Sequence, residues 1–185
     1  MPSSSIDTVL IVGSGLSGIL MAWELEKRGV DYEVWNSGAK SGPESNSATK
    51  VAAGMFNPVS FKRLVEVWNA QEHLNAMRET YQSLEHFLNL QGELFHIAPI
   101  MRVFPNSQYR DLWSKRLNDS HPVAGFLSEI SDECPKDVIA PHGFGVVPEA
   151  GWVNLPLLLK SFRLNLELSG NFFETHWDFS TPIPH

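Results

Sequence analysis

The sequence is poor in cysteine, and it lacks both a run of basic residues and a long apolar run. Its single cysteine, Cys134, cannot form an internal disulfide, so a reducing cytoplasm is the predicted location. Lys and Arg number 14 against 21 Asp and Glu, and the net charge of -7 argues against a nucleic-acid or anionic-membrane surface. No stretch resembles a signal peptide or a membrane span. A small-molecule partner is therefore favoured.

No metal site is predicted either. His73 and His86 each follow a glutamate in a helical segment, but their spacing is not that of metal ligands, so both are predicted to be solvated. Cys134 lies between Glu133 and Pro135 without the flanking signature of a catalytic cysteine, which favours an incidental thiol. With 43% hydrophobic and 11% aromatic residues, the 185-residue chain can nevertheless form a core.

The clearest pattern present is an apolar run, a glycine turn and a helix near the N-terminus. Residues 9–12 are typical of a buried strand in a parallel sheet, and a G-x-G-x-x-G motif follows at once. Gly13 permits the tight turn, Gly15 lets a pyrophosphate approach the backbone, and Gly18 lets the helix lie close to the strand. The helix predicted over 16–28 directs its free N–H groups at the phosphates, which indicates a dinucleotide site.

A second strand, predicted over 31–35, completes the βαβ unit and leads into Asn36. Dinucleotide-binding folds usually carry an Asp or Glu here, about 20 residues after the glycines, to hold the ribose hydroxyls. The amide oxygen of Asn36 can accept one such hydrogen bond, although without the charge that strengthens it. The alternative is an ordinary turn at 36–38.

A third segment, residues 47–60, is rich in small residues and contains Ala52-Ala53-Gly54-Met55 and Asn57-Pro58. The glycine turn, the spacing to Asn36 and this segment together resemble the FAD-dependent D-amino acid oxidase and glycine oxidase superfamily, which includes the oxidase half of the bifunctional tRNA-wobble-uridine enzyme. A glycine-rich connector is the alternative. The resemblance implies FAD contacts at Gly13, Gly15, Leu16, Ser17, Gly18, Asn36, Ser37, Ala48, Thr49, Ala53, Gly54 and Met55, and an adenine contact at Phe179.

The rest of the chain alternates helices with short strands. Apolar residues recur at steps of three and four within 64–89, which predicts an amphipathic helix, and Trp68 is predicted to be a core residue. Arg102, in a predicted strand, could meet a substrate carboxylate, but an exposed strand arginine is favoured and no site is assigned to it. The further predicted strands are 93–97, 100–104, 144–147, 151–153 and 171–177, and the further helices are 107–118 and one from the N-cap Asn154 to about 168.

The resemblance implies an α/β fold. A Rossmann-like FAD-binding βαβ domain with an incomplete parallel sheet would occupy 1–89 and return at 149–185, with part of an inserted antiparallel α+β substrate domain at 90–148. The chain would correspond to the N-terminal half of the family, whose other half supplies a second flavin contact and most of the substrate pocket. We therefore expect this chain to be inactive alone.

The implied function is that of the N-terminal portion of an FAD-dependent oxidoreductase. Such an enzyme moves a hydride from a C–H bond beside nitrogen to the flavin and leaves an imine, with a small amine or amino acid as substrate. No catalytic side chain is assigned. Two alternatives stay open: an NAD(P)-dependent dehydrogenase, because the first βαβ unit does not distinguish the cofactors, and a non-catalytic nucleotide-binding or interaction module.

Overall fold

A computed structural model describes residues 8–37 and 48–175. The predicted adenine contact at Phe179 and the predicted loop at 39–47 lie outside the described residues. In chain order the elements are β1 (Val9–Val12), α1 (Leu16–Arg28), β2 (Tyr32–Asn36), α2 (Ala48–Val51), β3 (Met55–Phe56), β4 (Val59–Ser60), β5 (Val65–Glu66), α3 (Ala70–Phe87), β6 (Phe95–Ile97), β7 (Ile100–Val103), α4 (Ser107–Asn118), a 3-10 helix (Pro122–Phe126), β8 (Phe144–Val147), β9 (Gly151–Val153), α5 (Leu155–Ser169) and β10 (Phe172–Glu174).

The chain divides into two compact units. The first comprises the described parts of 1–53, 86–90 and 154–185, and the second comprises 54–85 and 91–153. Most of α3, through Glu85, therefore belongs to the second unit, whereas the sequence analysis grouped this helix with the FAD-binding residues 1–89. The functional division at 89 and 149 stays a prediction.

The first unit is a parallel three-stranded sheet with helices packed on it. The strand order is β1-β2-β10, and both pairings are parallel, so the predicted third parallel strand is confirmed. Within the described residues, β1 is paired on one side only, and Val12 is 51% exposed. The buried residues of this unit include Ile11, Ile19, Ala22, Val34, Leu158, Phe162 and Leu166.

The two long helices of this unit end as the sequence predicts. Gly29 and Gly170 adopt left-handed φ angles of 62° and 77° after α1 and α5, a conformation that glycine reaches without steric cost. Asn154 caps α5, because its side-chain oxygen accepts from the Leu157 amide at 3.2 Å. The two glycine C-caps fix where the chain leaves each helix to enter β2 and β10.

The second unit is antiparallel, as the resemblance implies. Its strands pair in the order β3-β9-β6, with β4-β5 and β7-β8 as two-stranded ladders. Trp113 of α4 is fully buried in its core, and its indole N–H donates to the Ser128 carbonyl at 2.9 Å. The same core contains Val59, Leu64, Ala70, Leu74, Phe104, Val123, Phe126, Leu127, Val147 and Ala150.

The predicted helix over 64–89 is wrong at its start. The α3 helix begins at Ala70, because the preceding residues form the β4–β5 hairpin, and Leu64 and Asn69 have positive φ angles of 47° and 50° that no α-helix contains. Trp68 is 76% exposed, so its prediction as a core residue is also wrong. The hairpin strands are two residues each, too short to show a period in the sequence.

Candidate cofactor site

The glycine turn between β1 and α1 is held tightly against the start of the helix. A β-carbon on Gly18 would lie 2.0 Å from the Gly13 carbonyl oxygen, so only glycine fits there. Gly13 itself has a φ of 103°, which side chains rarely adopt, and its amide donates to the Trp35 carbonyl at 2.7 Å. The turn is thereby fixed beside the carboxyl end of β2.

Gly15, unlike Gly13 and Gly18, is not required to be glycine by its backbone conformation or its packing. It is the N-cap of α1 with ordinary φ and ψ angles of -74° and -177°, and a β-carbon there would meet only the Thr49 hydroxyl oxygen, at 3.5 Å. The fold alone therefore does not require glycine at this position. A group bound against the backbone would require it, which is the role that the motif predicts.

The first turn of α1 presents donors without acceptors. No intrahelical carbonyl reaches the Ser17 and Gly18 amides, and no described residue accepts from them. The N-cap Gly15 has no side chain to fill this role, and the first turn contains no acidic residue. None of the predicted contact residues is charged. The attraction for an anion would therefore come from the free amides and the helix dipole.

Thr49 is brought to this turn from α2. Its hydroxyl oxygen accepts from the Leu16 amide at 3.2 Å, although the two residues are 33 positions apart. A hydroxyl that accepts one hydrogen bond keeps its proton to donate to a second group, for which a phosphate oxygen is suited. The structure thus joins two predicted contact residues and shows a helix-capping role for Thr49 that the sequence analysis missed, since no local pattern encodes it.

Asn36 also lies against the turn. Its side-chain oxygen accepts from the Ser14 amide at 3.3 Å, and its side-chain nitrogen donates to the Ser37 carbonyl, also at 3.3 Å. An amide oxygen has two lone pairs, so one acceptor position is left for a ribose hydroxyl. The predicted ribose contact at Asn36 and the predicted FAD contact at exposed Ser37 stay predictions.

The remaining predicted contacts lie in and after α2. Ala48 begins that helix and is exposed, as is Ala53, the last residue of the first segment of the first unit. Gly54 and Met55 belong to the second unit, where the Gly54 carbonyl accepts from the Val153 amide at 3.0 Å. Gly54 has a φ of 67°, and Met55 is 67% exposed at the start of β3. Met55 therefore has exposed surface that a ligand could contact, whereas Gly54 is half-buried.

At the opposite end of the parallel sheet, the Tyr32 hydroxyl donates to the Glu26 carboxylate at 2.9 Å. Burial and this carboxylate raise the pKa of Tyr32 well above its usual range. A cavity of about 390 Å³ lies beside the pair and includes Glu33 and Asp31 in its lining. Its acidic lining does not suit a pyrophosphate, which leaves the glycine turn as the candidate cofactor site.

Residues 8–37 and 48–175 contain neither a candidate metal site nor a membrane-spanning helix. No group of three or more His, Cys, Asp or Glu side chains is placed to hold a metal ion there. No helix in those ranges combines the length and apolar character needed to cross a membrane.

The open Gly15, the packed Gly18 and the free amides of α1 fit the pyrophosphate of a dinucleotide cofactor. Residues 8–176 match the family of FAD dependent oxidoreductases, so the chain belongs to that family. FAD is therefore its cofactor type, and the resemblance inferred from the glycine turn and the 47–60 segment is confirmed.

Solved structures share this fold. Glycine oxidase from Bacillus cereus ATCC 14579 is similar with a TM-score of 0.61 at 20% identity, over 95% of this chain and 49% of that one. Iminodiacetate oxidase from Chelativorans sp. BNC1 gives a TM-score of 0.57 at 22% identity, over 89% and 45% of the two chains. L-proline dehydrogenase from P. horikoshii gives 0.59 at 15%, over 91% and 44%. The chain thus spans about half the length of each.

Proposed function

We propose that this chain is the N-terminal portion of an FAD-dependent oxidase or dehydrogenase of small amines or amino acids, and that its glycine turn binds the FAD pyrophosphate. One observation carries the proposal: Gly18 and Gly13 are required by the fold, whereas Gly15 is not. A glycine that the fold does not need, placed at the N-terminus of a helix with free amides, is what close approach of a phosphate requires.

The substrate class is inferred from the similar structures. Their names state glycine, iminodiacetate and L-proline as the compounds oxidised, and each compound has a C–H bond beside nitrogen. When bound, FAD would supply the hydride acceptor for oxidation of that C–H bond, with an imine as product. At these identities the structures support only the fold, so the substrate is part of the proposal.

The residues of this chain would bind and orient the cofactor. The free amides of Ser17 and Gly18 would donate to the pyrophosphate, and the Thr49 hydroxyl would add a donor while it accepts from Leu16. Asn36 would hold the adenosine ribose through its remaining acceptor position. Ala53 would present its exposed backbone to the cofactor, and the contacts that the resemblance implies at Gly54 and Met55 stay predictions.

The test is the isolation of the full-length protein. We expect a yellow protein that releases FAD on denaturation and loses its flavin absorbance when a suitable amine or amino acid is added without oxygen. Colourless protein that binds NAD would favour the alternative of an NAD(P)-dependent dehydrogenase. Colourless protein that binds neither would favour an interaction module, and either result would contradict the proposal.

A further inference from the structure

Arg102 lies on the face of the β7–β8 ladder that packs against the apolar core. It lies in β7 opposite Gly145 of β8, and directly opposed residues of an antiparallel pair share one face of the sheet. A β-carbon on Gly145 would lie 2.2 Å from the Trp113 ring, so this face is the one that Trp113 covers. Ile100, two residues before Arg102, packs against the same core. Arg102 is half-buried, and the prediction of an exposed strand arginine is therefore wrong.

Two aromatic rings hold the guanidinium group. Its central carbon lies 5.4 Å from the Phe61 ring centroid and 5.1 Å from the Tyr109 ring centroid. The Tyr109 hydroxyl donates to the Phe61 carbonyl at 2.7 Å, which ties the two rings together. The side chain is thus ordered before any ligand binds, so binding would cost little additional rotamer entropy.

Among the described residues, the guanidinium group nevertheless has no counterion. Its Nε atom is buried and has no hydrogen-bond partner, and no carboxylate in residues 8–37 and 48–175 forms an ion pair with it. Other arginine side chains of the described residues do form such pairs, among them Arg110 with Asp132 and Arg78 with Glu149. The Nη atoms of Arg102 also form no hydrogen bond with a described residue, so the guanidinium group has a charge and terminal donors that an anion could satisfy.

The chemistry favours a carboxylate over a phosphate. A guanidinium group offers parallel N–H groups in one plane, which match the two oxygens of a carboxylate. One carboxylate also neutralises the single charge of Arg102, whereas a phosphate dianion would leave excess negative charge beside the Phe61 and Tyr109 rings in a chain of net charge -7. We propose that Arg102, clamped by Phe61 and Tyr109, is a binding site for the carboxylate group of a small organic acid.

The experiment is a titration of the full-length protein, saturated with FAD, with acetate as the probe. Acetate is compared with chloride and phosphate at equal ionic strength, and binding is followed by calorimetry and by the shift in Tm. Arg102→Gln is expected to weaken acetate binding at least about tenfold, because it removes both the charge and the paired donors. Arg63→Gln is the matched control, since Arg63 is exposed and its loss changes the net charge equally.

A second variant tests whether acetate binding requires the guanidinium group itself or only a positive charge at this position. Arg102→Lys retains the charge and an apolar stem, so it should fold even if Arg102→Gln does not, and we expect it to lose acetate binding because it lacks the paired donors. Three results would each overturn the proposal: no acetate binding by the parent, unchanged acetate binding in the folded Arg102 variants, or tighter binding of phosphate than of acetate. None of these measurements depends on the proposed oxidase activity.

Discussion

The carbonyl oxygen of Gly13 lies 2.0 Å from where a β-carbon on Gly18 would be, so the helix and the turn meet with no room for a side chain. The same substitution at Gly15 would place its β-carbon at an ordinary contact distance, 3.5 Å from the Thr49 hydroxyl oxygen. Packing within the fold thus requires glycine at position 18 but not at position 15. Substitutions at the two positions therefore distinguish a structural requirement from a ligand-binding one.

Gly15→Ala and Gly18→Ala form a matched pair of variants. We expect Gly18→Ala to lower the free energy of unfolding by about 1–3 kcal/mol, because the backbone must move to admit the methyl group. Gly15→Ala should leave Tm close to that of the parent apoprotein and weaken FAD binding at least about tenfold, because its methyl group would occupy the place of the pyrophosphate. Thermal melts and fluorescence titration of the apoproteins measure both. Unchanged FAD affinity in Gly15→Ala would place the phosphates elsewhere.

Thr49→Val tests the hydroxyl that accepts from Leu16. The valine has nearly the same shape but cannot accept the Leu16 amide or donate to a phosphate, so FAD should bind more weakly and α1 should lose about 1 kcal/mol of capping free energy. Thr49→Ser retains the hydroxyl and is the control. Equal FAD dissociation constants for the valine and serine variants would show that the hydroxyl is not used.

Asn36→Glu tests the ribose contact. A carboxylate can accept from both the Ser14 amide and a ribose hydroxyl, so FAD binding should be maintained or tightened, with a gain on the order of 1 kcal/mol. Asn36→Leu accepts neither hydrogen bond and should weaken binding. Fluorescence titration of the two apoproteins decides the point, and a large loss of affinity in Asn36→Glu would argue against the placement.

Tyr32→Phe tests the pair at the opposite end of the sheet. Burial and the nearby Glu26 raise the pKa of Tyr32, so the folded protein keeps the phenol protonated at pH values where the unfolded chain ionises it. This contribution is complete below the ordinary tyrosine pKa and is lost as pH rises above about 10. The phenylalanine variant should lose about 1 kcal/mol at neutral pH and show a shallower decline of Tm at alkaline pH. Parallel declines in both proteins would contradict this prediction.

A polypeptide of residues 1–185 alone should produce peroxide only at background with glycine, sarcosine or any D-amino acid, even with excess FAD. The physical reason is that β1 has a partner strand on one side only among the described residues, and that the chain spans about half the length of the similar solved structures, which would leave a bound flavin poorly aligned with substrate. Flavin reduction without oxygen is the more direct measurement. Robust substrate-dependent reduction would contradict both arguments.

The sequence predicted the bounds of helices and strands correctly where the flanking residues give clear start and stop signals. The helix at 107–118 and the strands at 144–147 and 151–153 have the predicted bounds, because clear caps, turns and apolar runs surround them. The start of α3 was not readable, since Leu64 and Asn69 adopt positive φ angles only in the setting of the β4–β5 hairpin. Trp68 was misjudged for a related reason: its hydrophobicity favours burial, but its place before the helix exposes it.

The sequence by itself determined the βαβ unit and its glycine turn, because both depend on contacts within about 30 residues and on glycine's freedom from side-chain clashes. It also determined the family, because the glycine turn, Asn36 and the 47–60 segment can be recognised by residue type and spacing alone. Only the tertiary structure decided which amides of α1 are free, because the Leu16 amide is satisfied by Thr49, 33 positions away. The tertiary structure also decided the setting of Arg102. A strand pattern shows that its side chain alternates with its neighbours, but the face that it occupies depends on Gly145 and Trp113, which only the packed chain brings beside it.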